Sequence, residues 1–185
     1  FDTGTRPSVK IEDPDFRINI HIDNKKCTLS IDSSGISLHQ RGYRLATEIA
    51  PINEVLAAGI LLHSGWDGDS DFLDPFCGSG TIPIEAAMIA FNIPANINRK
   101  KFSFENWNDW DEQLFYTIEE SLLKKIKPKP IKIMGSDILN SAIEKSLINI
   151  ESANLSEFIN IKKENFLNSS KIIDKPLKIV TNPPY

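Results

Sequence analysis

Asp71-Phe72-Leu73-Asp74-Pro75-Phe76-Cys77-Gly78-Ser79-Gly80-Thr81-Ile82-Pro83-Ile84-Glu85 sets the frame for the whole chain. A short apolar strand ending at Asp74 leads into a loop carrying Gly78 and Gly80, and residues 81–91 have the apolar spacing of a helix. Strand, glycine loop and helix in that order belong to a parallel α/β sheet. The loop then lies at the carboxyl edge, where ligands bind and where the first-turn N–H groups of the helix face the crevice. Glycine in such a loop lets the backbone approach a ligand that a Cβ would hold away. Gly78 and Gly80 match the first two glycines of a dinucleotide fingerprint, but the third is missing, which disfavours an NAD pyrophosphate site. No Lys follows Gly80, so a phosphate-binding P-loop is excluded. A nucleoside ligand without a pyrophosphate fits better.

Upstream, Phe16, Ile18, Ile20 and Ile22 alternate with Arg17, Asn19 and His21. Across a turn at 23–26, Cys27, Leu29 and Ile31 alternate with Thr28, Ser30 and Asp32. The pattern predicts an antiparallel hairpin with one buried face, the tail of another module. His39-Gln40-Arg41-Gly42-Tyr43-Arg44 is a basic and aromatic cluster. It reads as a solvated linker or as a place to hold phosphate or stack a base. Pro51 opens a helix to about residue 65, with Ile52, Val55, Leu56, Gly59, Ile60 and Leu62 on the side expected to pack on the sheet.

Downstream, residues 92–110 lack a period and carry Arg99-Lys100-Lys101 with Trp107 and Trp110, which fit packing anchors better than cleft walls. A helix is predicted over 111–126, with Leu114, Ile118, Leu122 and Ile126 as its buried face, stopped by Pro128 and Pro130. Residues 131–134 form the next strand, with Gly135-Ser136-Asp137 just beyond it. A helix carrying Leu139, Ala142, Ile143, Leu147 and Ile150 follows, and 158–161 and 177–181 read as two further strands. The order is βαβαβ with a further β, which demands right-handed crossovers and a mostly parallel sheet.

A length of 185 residues suits one domain, or one with an appendage, and 41% apolar content supports a proper core. The longest apolar run, 55–62, is far short of a membrane span, and the first residues lack signal-peptide character. The expectation is a soluble, cytoplasmic protein without a membrane partner. Cys27 and Cys77 form no paired motif, so neither a disulfide framework nor a thiolate metal site is expected. A net charge of −4 gives no global pull toward polyanions, and any nucleic-acid contact must come from a local patch. Opening without Met and stopping at Tyr185 reads as a cut segment.

Asp137 stands at the end of the strand after the glycine-loop strand. A carboxylate there can accept from both ribose hydroxyls or can N-cap the following helix; the roles are compatible, and ribose binding is the expected one. Asn182-Pro183-Pro184-Tyr185 follows directly on the strand at 177–181. Two prolines remove two N–H donors and stiffen the backbone, so the Asn182 amide oxygen and the Pro183 carbonyl can both accept from a substrate NH₂. Held in this way the amine keeps its lone pair available to attack an electrophile, while Tyr185 offers a face for stacking a base. The alternative is a bare turn, which its place at a strand end disfavours.

Together, Asp74-Pro-Phe-Cys-Gly-Ser-Gly-Thr81, Asp137 and Asn182-Pro-Pro-Tyr185 resemble the class I S-adenosylmethionine-dependent methyltransferases that modify exocyclic amines of nucleic-acid bases. Arg41-Gly-Tyr-Arg44, Ala50-Pro-Ile-Asn-Glu54, Ser64-Gly-Trp-Asp67, Ile84-Glu-Ala-Ala-Met88 and residues 102–107 make the chain more similar still to THUMP-domain RNA methyltransferases. The chain resembles especially the bacterial member that acts on the 2-amino group of a guanine in large-subunit ribosomal RNA. The resemblance implies an α/β, Rossmann-like class I methyltransferase sheet, truncated after its fourth strand and preceded by a β-hairpin remnant of a THUMP-type domain. Residues 1–44 would be the end of the RNA-binding module and its linker, and 45–185 the N-terminal part of the methyltransferase domain. It implies S-adenosylmethionine as cofactor, bound by Asp74, Pro75, Gly78 and Gly80, with the ribose on Asp137 and the adenine near Asn165. Relatives usually carry Asp at that last position, and an Asn still accepts through its amide oxygen. Asn182, Pro183 and Tyr185 take the target base, and RNA is the implied partner. Direct transfer to the amine needs neither metal nor protein nucleophile, which leaves Cys77 a packing residue. The alternatives are an adenine-N6 methyltransferase acting on DNA or RNA, and a non-catalytic nucleoside-binding fragment. Family members have RNA-binding segments before this region and further strands after it, so residues 1–185 alone are expected to be inactive.

Overall fold

Two strand patterns of different kind produce two sheets. The computed structural model describes residues 4, 8–11, 14–47, 50–168 and 175–183. β1 (Arg17–Asp23) and β2 (Lys26–Asp32) pair antiparallel, with Arg17 opposite Asp32 and Asp23 opposite Lys26. Ile18, Ile20 and Ile22 face Ile31, Leu29 and Cys27 across the ladder, as alternation requires. The expected burial of this face is not found: Ile18 is 52% exposed and Ile22 72%. Two strands alone form no second layer against which to bury a face. The hairpin is tied on through loop groups instead, Arg17 Nη1 donating to the Gly35 carbonyl at 3.0 Å and Asn106 Nδ2 to the Asp15 carbonyl at 3.1 Å.

The second sheet contains β3 (Asp71–Asp74), β4 (Ile133–Asp137), β5 (Ile159–Lys163) and β6 (Leu177–Ile179), all parallel, in the order β5-β4-β3-β6. Asp137 is therefore the last residue of β4 and not a residue beyond it. Crossovers carry the chain outward from β3 to β4 to β5, and it then returns to the far side of β3. That reversal is a topological switch point, so the carboxyl ends of β3 and β6 frame a crevice.

The helices are α1 (Glu54–His63), α2 (Thr81–Ala90), α3 (Glu112–Leu123) and α4 (Asn140–Ser152). α2 packs between the sheet and α1, and Ile82, Ile84, Ala86, Ala87 and Met88 are all buried. An apolar surface on every side is what such a central helix needs. α1 turns a different side inward from the one its large residues suggest: Glu54, Ala57 and Leu61 are buried, whereas Val55, Leu56, Ile60 and Leu62 are exposed. The helix is apolar almost all round, so its orientation is decided by the short Ala57 facing α2 and by a buried partner for Glu54. α3 also contradicts its predicted face. Leu114, Ile118 and Leu122 are exposed, and the helix is attached through Phe115, which meets Phe102, Phe104 and Trp110 at centroid distances of 6.4, 6.1 and 5.1 Å. Trp110 is thus a packing anchor. On α4 the inward residues are Ala142, Ser146, Asn149 and Ile150, while Leu147 lies outward. Among the described residues no helix is long and apolar enough to cross a membrane.

The cluster from His39 to Arg44 is neither a solvated linker nor an open anion patch. Arg41 and Tyr43 are buried against α2: Arg41 Nε and Nη2 each lie 3.3 Å from a Glu85 carboxylate oxygen, and the Tyr43 hydroxyl donates to Glu85 Oε1 at 2.9 Å. Burial pushes the Glu85 carboxyl up, and the Arg41 guanidinium opposes it. Arg44 reaches Glu54 at 3.0 Å, the Ile52 carbonyl at 2.8 Å and the Thr81 hydroxyl at 3.0 Å. Asn149 completes the clamp. Its Oδ1 accepts from the backbone N–H groups of Leu45 and Ala46, and its Nδ2 donates to the carbonyls of Ala46 and Ser79, all between 2.7 and 2.9 Å. Replacing it by Ala removes the partners of four backbone groups, of which the Ser79 carbonyl is buried and the other three are part-buried, a loss that water makes good only in part at roughly 1 kcal/mol for each group left unpaired. Asn149→Ala should therefore lower unfolding free energy by about 3 kcal/mol in urea titrations, while Leu56→Ala on the exposed side of α1 should cost under about 1 kcal/mol.

Candidate active site

The loop after β3 is shaped by backbone hydrogen bonds that leave its glycines in left-handed conformations. Cys77 N–H donates to the Ser136 carbonyl at the end of β4, and Gly80 N–H donates to the Cys77 carbonyl, both at 2.8 Å. Gly78 has φ of 52° and Gly80 of 85°, values that favour glycine. The two glycines differ in what they face. A Cβ at Gly80 would come within 3.1 Å of Ser146 Cβ, so this position lets α2 and α4 approach. A Cβ at Gly78 would project into open space, with nothing within 4 Å.

That space belongs to a cleft of about 110 Å³ lined by Asp74, Phe76, Gly78, Pro51, Ile52 and Asn182, among others. Asp74 and Gly78 come from the β3 end and Asn182 from beyond β6, so the cleft straddles the switch point. The link between the two strand ends is direct: the Thr181 hydroxyl donates to Asp74 Oδ1 at 2.6 Å. Asp74 is 1% exposed and also accepts from the Phe76 N–H at 3.2 Å. Burial raises its carboxyl from 3.8 to about 6, the bonds from Thr181 and Phe76 pull it down, and the neighbouring Asp137 charge pushes it up. Burial also pushes the Cys77 thiol up, which keeps it protonated and suits a packing role.

Asp137 sits beside this loop rather than in the cleft lining. Its Oδ2 accepts from Gly78 N–H at 3.1 Å and its Oδ1 from Leu139 N–H at 3.0 Å, so it braces both the loop and the entry to α4. Each oxygen retains a second lone pair for an outside donor. Pro75 is buried, and its carbonyl accepts from the Ser136 hydroxyl at 3.4 Å. Asn165 lies past the end of β5, where its Oδ1 accepts from Leu167 N–H at 3.1 Å and shapes the 3₁₀ turn Phe166–Asn168. The ring of Phe166 meets that of Phe76 edge-on at 5.9 Å, joining this turn to the glycine loop. Asn182 and Pro183 are exposed at the β6 end. Tyr185, assigned to base stacking, lies outside the described residues.

Thr181 and Asn149 escape a reading from sequence. The signal for Thr181 is topological, because a hydroxyl at the end of β6 must lie against the end of β3 once the strand order is known. Asn149 has no local signal, being one polar residue on an amphipathic helix.

Comparisons with known proteins agree with this geometry. The RMKL-like methyltransferase domain family matches residues 41–185, and the THUMP domain matches residues 2–32. A ribosomal RNA large subunit methyltransferase K/L from Shewanella frigidimarina is 40% identical over 191 residues, covering 100% of this chain and 26% of the relative. The chain thus spans about a quarter of the length of that protein. Among solved structures, SMU.472, described as a candidate methyltransferase complexed with SAH, is 34% identical with a TM-score of 0.84, covering 92% of this chain and 44% of that one. A Listeria monocytogenes protein described as a predicted N6-adenine-specific DNA methylase is 36% identical with a TM-score of 0.83 over the same shares. With a parallel sheet reversing at β3 and β6, a glycine loop at that reversal and a match across residues 41–185, the chain belongs to the RMKL-like methyltransferase domain family.

Proposed function

We propose that the protein transfers a methyl group from S-adenosylmethionine to the exocyclic 2-amino group of a guanine in RNA, with large-subunit ribosomal RNA as substrate and the cytoplasm as its place of action. The observation that carries this reading is the shared cleft of Asp74, Gly78 and Asn182, closed by the hydrogen bond from Thr181 to Asp74. The division into an RNA-binding end at 1–44 and a methyltransferase part from 45 belongs to the same reading.

The residues present fit the cofactor. Open space beside Gly78 admits a ligand against the backbone, and a buried carboxyl held near 6 gains from a cationic neighbour. Asp74, Pro75, Gly78 and Gly80 would hold its methionine end, Asp137 its ribose and Asn165 its adenine, following the ends of β3, β4 and β5 in their order across the sheet. When bound, the cofactor supplies an electrophilic sulfonium methyl. Asn182 Oδ1 and the Pro183 carbonyl accept the two hydrogens of the base amine and aim its lone pair at that methyl. The β6 backbone and Thr181 hold Asn182 at a set distance from the glycine loop, so rate comes from positioning and exclusion of water. The proton leaves after transfer, when the amine has become acidic.

A second reading is favoured by the likeness to the Listeria protein: the acceptor amine is that of adenine, in DNA or RNA. Parallel assays on ribosomal RNA and duplex DNA with labelled cofactor separate the two; methylation of DNA alone would sink the RNA reading. In the intact protein, Asn182→Ala should reduce kcat at least 100-fold while cofactor affinity by calorimetry stays within about threefold. Unchanged turnover would remove Asn182 from the mechanism.

Asp74 makes cofactor binding depend on pH. Its folded value of about 6 lies above the ordinary 3.8, so in the free protein its protonated form is favoured: that stabilisation is complete below about 3.8 and is lost as pH rises through about 6. A cation in the cleft selects the ionised form. Affinity for S-adenosylmethionine should be level above about pH 7 and fall below about pH 6, and Asp74→Asn should flatten that dependence. Calorimetry from pH 5 to 8 decides the matter, and a level profile in the unaltered protein would contradict the role given to Asp74.

A further inference from the structure

A second cavity, of about 640 Å³, lies between the linker and residues 98–101 and shares Pro51 and Ile52 with the cofactor cleft. Such a volume is in the range of built ligand sites. Its walls are basic, but not in the way the sequence pattern suggests. Arg41 is neutralised by Glu85 and Arg44 by Glu54, which leaves Arg99, Lys100 and Lys101 as the uncompensated cations of the lining. Three positive charges at one site stand against a chain total of −4, so the patch is a local field on an acidic protein.

The three cations differ in freedom. Arg99 is fixed: it donates to the carbonyls of Ser34, Ile36, Ser37 and Lys101, and its guanidinium lies 4.9 Å from the centroid of Phe102. It carries charge without being able to move. Lys100 and Lys101 are exposed. Beside them, the Asn98 side chain has an amide nitrogen buried without a hydrogen-bond partner among the described residues.

We infer that this groove, formed by Asn98, Lys100 and Lys101 over the fixed charge of Arg99, holds the phosphodiester backbone of single-stranded RNA next to the nucleotide whose base enters the cofactor cleft. The inference rests on the function proposed above and extends it by naming where the strand lies. The shared rim at Pro51 and Ile52 makes the path continuous: phosphates sit on the lysines while the base turns past the rim toward Asn182. The recognition is of phosphate, not sequence, since the uncompensated groups of the lining are cations.

Fluorescence anisotropy of a labelled single-stranded RNA, measured on the intact protein between 50 and 200 mM salt, tests this. Lys100→Glu combined with Lys101→Glu should weaken binding at least tenfold at the lower salt. It should also reduce the slope of log affinity against log salt by about 1.4, the value for two lost contacts to a single strand. Lys100→Gln with Lys101→Gln, which adds no acidic charge, should give the same change in slope, and the paired Arg variants should retain binding. S-adenosylmethionine affinity should be unchanged in all three, because neither lysine lines the cofactor cleft. An unchanged slope in both the Glu and Gln variants, with cofactor binding and RNA methylation intact, overturns the groove alone. Absence of cofactor binding in the unaltered protein overturns the proposed function instead. A loss confined to duplex DNA, with single-stranded RNA unaffected, also overturns the inference.

Discussion

Asn149 is the point on which the arrangement of the molecule depends. Its amide makes two bonds as acceptor and two as donor, reaching the linker at Leu45 and Ala46 and the glycine loop at Ser79 from the body of α4. A side chain with every bond satisfied in a buried site has essentially one geometry available. The distance between linker, loop and helix is therefore set by one residue, and Arg44, reaching Glu54, Ile52 and Thr81, repeats the restraint from the other side. The loop that faces the cleft is held by tertiary hydrogen bonds more than by its own turn.

What could be read from the residues was whatever depends on local spacing. The β3 strand, the glycine loop and α2 lie where the apolar period and the glycines put them, and the parallel order follows from strands separated by helices. The faces of helices were legible only where a stripe was narrow. α1 is apolar nearly all round, so periodicity could not tell that Ala57 and Leu61 turn inward with Glu54. α3 has a clear stripe, Leu114, Ile118 and Leu122, that points away from the described body of the protein, because its anchor is the aromatic Phe115. Periodicity detects an amphipathic face but says nothing of what covers it.

The charged residues gave the opposite lesson. Arg41 and Tyr43 have the composition of a surface patch and are buried, since Glu85, more than forty positions away, supplies a partner that no local window contains. The cluster at Arg99 to Lys101 is basic too, and there it is the arginine whose side chain is engaged. Asp74 and Asn182 were legible as strand-end residues; Thr181, which joins them, becomes visible only with the strand order. Asp137 is not the N-cap of α4, a place that Leu139 takes; its two oxygens, pointing in different directions, brace the glycine loop and the segment leading into that helix.

The hydrogen bond between Thr181 and Asp74 spans 107 residues. Contacts of that separation form late, because a long loop must close before they are rewarded. During synthesis the glycine loop, α2 and α4 can assemble as soon as they emerge, but the cleft lacks one wall until β6 slots in beside β3. Ligand affinity then reports completed folding rather than the presence of the loop.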